Sequence, residues 1–131
     1  LKPRAIVLCI GTNDLSAHGD VADIISNIEA IIDQATAQDA AMPVVLCTVP
    51  PRDNDKAPVK AGAHADLNER IKKLGEGRPN VTVFDLFAVL ADTDGKPKPD
   101  YVVADRLHLA GPGYAKWGEA LKPVFDQIAI K

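Results

Sequence analysis

Three short apolar runs, set apart by stretches of helical periodicity, constrain this chain more than any other feature. The runs are "RAIVLCI" at 4–10, "PVVLCTV" at 43–49 and "VTVFDL" at 81–86. In the first two nearly every position is apolar, so both faces of each strand must be covered, as in a parallel sheet. Between the first two lie Val21, Ile24, Ile25, Ile28, Ile31, Ile32 and Ala35. That spacing is one face of an amphipathic helix over 21–38, with Asp20 as its N-cap. Leu67, Ile71 and Leu74 mark a second helix over 63–74. From Pro112 onward, Tyr114, Trp117, Leu121, Val124, Phe125 and Ile128 line a last one. The turn-rich segments 51–62 and 92–100 read as loops. Strand–helix alternation of this kind predicts a three-layer α/β sandwich with right-handed crossovers. The third strand ends in Asp85 and is expected to be the shortest.

Composition removes several alternatives. A chain of 131 residues is one domain, over 1–131, with no repeat and no internal boundary. Its 47% hydrophobic and 25% charged residues exclude disordered and collagen-like classes. A net charge of -3 with no basic stripe speaks against nucleic acid as a partner. The longest apolar run, "AIVLCI", is too short to span a membrane, and the first residues do not read as a secretory signal. Cys9 and Cys47 occupy matching places in the first two strands, which suggests buried thiols rather than a disulfide framework. None of this fixes a compartment.

Ligands of open α/β sheets bind beyond the carboxyl ends of the strands, and two polar clusters fall there. The first is Gly11-Thr12-Asn13-Asp14. Gly11 permits a sharp turn straight after a strand, and the amide of Asn13 could donate to a developing oxyanion. Asn13 and Asp14 could equally cap their own turn. The second is Asp105-Arg106-Leu107-His108. A carboxylate three residues before a histidine can hold its Nδ1–H and leave Nε2 free as a general base. It could also be a purely structural bond. His18 and His64 stand alone without ligand spacing, and "DTDG" at 92–95 lacks the rest of a calcium loop, so no metal and no cofactor are expected. Tyr114 and Trp117 read as core.

Taken together, the two clusters resemble the SGNH hydrolase superfamily, the GDSL-type esterases and lipases. There a G-x-N-D block follows the third strand and a D-x-x-H block precedes the last helix. "VVLCTVPP", "VFDLFAVLADTDGK" and "HLAGPGYAKWGEALKPV" resemble the neighbouring family segments, so the likeness covers essentially the whole chain. It implies a flavodoxin-like three-layer sandwich and acyl transfer from a small ester to water. It further implies that Asp105 orients, His108 acts as base and then acid, and Asn13 contributes to the oxyanion hole, with Gly11 and Asp14 completing the motif. Ala110 stands where the family often has Ser or Thr.

One expected part has no counterpart in the sequence. The family's nucleophile is the serine of a G-D-S block after its first strand, and its second oxyanion donor is a glycine N–H in a later block. Ser16 and Ser26 are the only serines here. Ser16 lies close to Asn13 in sequence, and Ser26 reads as a surface residue of the 21–38 helix. The expectation is therefore an N-terminally incomplete domain whose serine comes from another segment. It follows that the strand at 4–10 should have an open edge, filled by a separate N-terminal chain or by a second copy of this one. The alternative is an inactive remnant or binding module that keeps both blocks. An unrelated nucleotide-binding domain would need a glycine-rich phosphate loop, and there is none.

Overall fold

The computed structural model describes residues 3–128, so the extreme ends of the domain expected over 1–131 lie outside the described residues. Three strands form its sheet: β1 (Ile6–Leu8), β2 (Val44–Cys47) and β3 (Val81–Phe84). They lie parallel in the order β1-β2-β3, with Leu8 opposite Leu46 and Leu46 opposite Val83. Five helices accompany them: α1 (Thr12–Ser16), α2 (Val21–Gln38), α3 (Ala63–Leu74), α4 (Leu86–Leu90) and α5 (Gly111–Gln127). A single 3₁₀ turn, Pro99–Tyr101, precedes α5.

Side chains alternate along the strands, and the two faces of β2 feed two separate cores. Val44 and Leu46 pack with Val21, Ile24, Ile28 and Ile32 of α2 and with Leu67 and Ile71 of α3. Val45 and Cys47 pack with Phe84, Leu86, Leu90 and Leu121, and Trp117 and Phe125 adjoin them. The apolar runs are unbroken because both faces are covered. Asp20 caps α2 as expected, accepting from the Ala22 N–H at 2.7 Å. Each of the four buried α2 side chains stabilises the fold by about 2 kcal/mol, so Ile28→Asp would break this layer.

The two cysteines are free thiols. The hydrogen bond with the neighbouring Cys9, and then burial, push the Cys47 thiol well up, so it stays protonated.

Several boundaries differ from those read in the sequence. The 4–10 run is a strand only over Ile6–Leu8, where β2 runs alongside. The 81–86 run stops at Phe84, because Asp85 is the N-cap of α4 and accepts from the Ala88 N–H at 3.1 Å. Two one-turn helices, α1 and α4, carry too few residues to show a period. Tyr114, read as core, is 58% exposed. Gly113 takes the inward place, and a Cβ there would collide with the Tyr101 carbonyl. That close approach turns Tyr114 outward.

Among the described residues β1 and β3 each have one neighbour, β2. Val81 and Phe84 of β3 are nonetheless buried, whereas Val7 of β1 is 40% exposed and Ile10 just beyond it 37%.

Candidate active site

Both polar blocks lie at the carboxyl edge of the sheet, and local backbone chemistry builds each of them. Gly11 is the N-cap of α1 with φ 110°, a conformation that side-chain-bearing residues rarely adopt. A Cβ there would sit 3.0 Å from Leu67 Cδ2. Glycine is thus required twice, by the turn and by the packing beneath it. Asn13 and Asp14 follow in the first turn of α1, both exposed.

The second block is a tight loop. Asp105 Oδ1 accepts from the Leu107 and His108 amides at 2.9 and 3.0 Å. Asp105 Oδ2 lies 2.6 Å from His108 Nδ1. The loop closes because Arg106 takes a left-handed conformation, φ 56°. His108 and the two amides hold the Asp105 carboxyl down at about 2. Asp105 is therefore ionised across the neutral range and can only accept, so His108 Nδ1 is the donor, and in the neutral imidazole Nε2 is the lone-pair nitrogen. The His108 side chain is 74% exposed, and among the described residues nothing bonds Nε2.

A cavity of about 180 Å³ joins the blocks. Cys9, Thr12, Val49, His108, Tyr114 and Trp117 are in its wall. Tyr114 and Trp117 stack there, with ring centroids 6.4 Å apart. Thr12 brings the first block to the wall and His108 brings the second. Asn13 lies one residue beyond Thr12 and is not in the wall, nor are Asp14 and Asp105. The volume is small for a whole ligand. A larger cavity, about 450 Å³, opens between residues 59–62, α3 and Phe87, but contains neither Asp105 nor His108. His64 lies in its wall and meets the Val49 carbonyl at 3.1 Å. Burial holds His64 below its ordinary pKa despite that bond.

The two serines are placed unequally. Ser26 is on the exposed face of α2. Ser16 Oγ donates to the Thr12 carbonyl at 3.1 Å and is outside the His108 cavity.

Other residues at the site gave little signal in the sequence. Tyr114 and Trp117 were legible only as helix-face residues. Arg52 donates from Nη1 to the Thr12 carbonyl at 2.6 Å and to Thr12 Oγ1 at 2.8 Å. Asn68, buried in α3, bonds both the N–H and the carbonyl of Val49, at 2.7 and 3.0 Å. It fixes the strand exit that forms one side of the cavity. Asn68 on an otherwise apolar helix face was the one available hint.

The model of the GDSL-like lipase/acylhydrolase family matches residues 1–116. Among solved structures, a Streptococcus pneumonia protein provisionally described as a platelet activating factor is 26% identical. Its TM-score is 0.82, with 92% of this chain and 58% of that one covered. A GDSL-like lipase from Bacteroides thetaiotaomicron is 21% identical with a TM-score of 0.79, covering 95% of this chain and 63% of that one. The lipase/acylhydrolase from Enterococcus faecalis is 24% identical with a TM-score of 0.75, covering 95% and 62%. The chain thus spans about three fifths of the length of these structures. No curated protein matches it.

Proposed function

Because the chain belongs to the GDSL-like lipase/acylhydrolase family, we propose that it carries the acid–base half of an ester hydrolase site. The observation that carries this reading is the Asp105–His108 pair, 2.6 Å apart, with Nε2 free beside the cavity. The nucleophilic serine is supplied by a segment outside these residues, docked along the free edge of β1. Val7 and Ile10, exposed on and just beyond that strand, support this placement. So does the unmatched length of the structural relatives.

The chemistry follows from the geometry. The serine hydroxyl attacks the ester carbonyl while His108 Nε2 takes its proton, and Asp105 stabilises the imidazolium that results. The carbonyl oxygen becomes an anion, which the Asn13 amide meets as a donor. The C–O bond to the alcohol breaks, and His108 returns the proton to that alcohol as it leaves. Water then attacks the acyl-enzyme, with His108 again acting as base. The carboxylic acid departs and the serine regains its proton.

Hydrolysis of short p-nitrophenyl esters tests the proposal. The chain together with a G-D-S-bearing N-terminal segment is expected to turn these over, and residues 1–131 alone to stay at background. An inert complete form would identify a binding module, and turnover by the chain alone would place the nucleophile within it.

A further inference from the structure

Arg52 and Asp53 belong to neither block, yet each is tied to one. Arg52 Nη1 holds both oxygens of Thr12, and its Nη2 donates to the Ala57 carbonyl at 2.6 Å. Its guanidinium therefore bridges the turn that carries Asn13 and the loop that follows β2. The planar fork suits this task, since donors on two nitrogens are fixed in direction at once. Next to it, the Asp53 N–H donates to the Arg106 carbonyl at 3.0 Å. Asp53 Oδ2 receives Arg106 Nη2 at 2.8 Å and also faces Lys96 Nζ at 3.4 Å.

Arg106 is the residue on which the Asp105–His108 loop turns. Its left-handed backbone is unfavourable for a residue with a side chain and persists only where the surroundings fix it. Asp53 provides two such fixings, one to the backbone and one to the guanidinium. Arg106 Nε is buried without a partner, so Nη2 is the side chain's polar anchor among the described residues. The ion pair is partly exposed, at 43% for Arg106 and 32% for Asp53. Pairs of that kind add little stability. Their effect here is on where the loop sits.

The geometry points to Arg52-Asp53 as a two-jawed clamp that sets the Asn13 turn and the Asp105–His108 loop at a fixed separation. Both are positioning residues, and neither meets the reacting atoms. The kinetic consequence rests on the acyl-transfer reading above; the geometric one does not.

Asp53→Asn tests the loop jaw, because it removes the charge while keeping the N–H bond to Arg106. The readout is the titration of the Asp105 carboxyl, followed by ¹³C NMR on the aspartate-labelled protein. Removing a nearby negative charge would by Coulomb's law alone lower the Asp105 midpoint. Loosening the loop weakens the His108 bond and raises it. A rise of about one unit is expected, with the melting temperature little changed. A midpoint that stays put or falls overturns the proposal. Arg78→Gln, which breaks the surface pairs to Asp33 and Glu29, serves as a control and should leave Asp105 unmoved. For the other jaw, Arg52→Lys in the complete, ester-hydrolysing form should lower kcat roughly tenfold with KM unchanged, about 1.4 kcal/mol in the barrier. An unaltered kcat overturns that half. If wild type itself turns over no ester, the acyl-transfer reading fails, while the NMR titration still decides the clamp.

Discussion

The two edges of the sheet differ although their hydrogen-bonding status is the same. Among the described residues β1 and β3 both pair only with β2. At β3, Val81 and Phe84 are each 8% exposed, and Asp85 at its exit is held by Lys72, Thr48 and the cap of α4. At β1, Val7 and Ile10 lie open, and the strand leads directly to Asn13, whose side chain no described residue bonds. A finished edge is closed by the chain's own helices and side chains. An unfinished one keeps apolar side chains and backbone groups available for another strand. The two candidate blocks differ in the same sense: Asp105 is held by His108 Nδ1 and two backbone amides, whereas no described residue bonds the side chain of Asn13.

The largest effect expected on this contrast is catalytic. In the complete form, His108→Ala should lower ester hydrolysis by roughly 10⁴-fold or more, as loss of a triad base does. Wild-type-like kcat in steady-state assays would remove His108 from the mechanism. Next comes packing. Phe84→Ala should cost roughly 3–5 kcal/mol in urea unfolding of any form of the protein. Val7→Lys should cost about 1 kcal/mol or less in residues 1–131, and several times that once the β1 edge is covered. Equal costs of Val7→Lys in both forms would mean that nothing docks there. Asn13→Ala should lower kcat by roughly 10²–10³ with KM little changed. A pure KM effect would make Asn13 a binding residue instead.

The smallest effect is on acid stability. Asp105 titrates at about 2 when folded, below its ordinary value of 3.8, so its contribution is present above about pH 4 and lost as the pH falls toward 2. Asp105→Asn should remove that part of the pH dependence from the urea midpoint. An unchanged acid profile in the mutant would show that the bond to His108 is absent in solution.

The sequence made some of this legible and hid the rest for physical reasons. The spans of α2 and α3 were readable to the residue, because Val21, Ile24, Ile28 and Ile32 in the one and Leu67, Ile71 and Leu74 in the other recur at helical spacing, and Asp20 marks the start of α2. The parallel order of the strands followed from runs covered on both faces. α1 and α4, of five residues each, are too short to express a period. Their starts depend on Gly11 and Asp85, which read equally well as a turn and a strand end. Tyr114 was misplaced because a contact of one glycine with a carbonyl, invisible to periodicity, rotates the first turn of α5. In the site, the Asp105–His108 spacing is local and so legible. The roles of Arg52 and Asp53 depend on partners 40 and 53 residues away in sequence, at Thr12 and Arg106, and no short motif records such contacts.

The central claim is that the acid–base pair is complete here and the serine comes from the segment that covers β1. Fluorophosphonate labelling read by peptide mass spectrometry tests it most directly. Residues 1–131 alone should take no label, and the protein with a G-D-S-bearing segment should take one label, on that segment's serine, lost in His108→Ala. A label on Ser16 or Ser26 of the chain alone, or a serine label that survives His108→Ala, would contradict it.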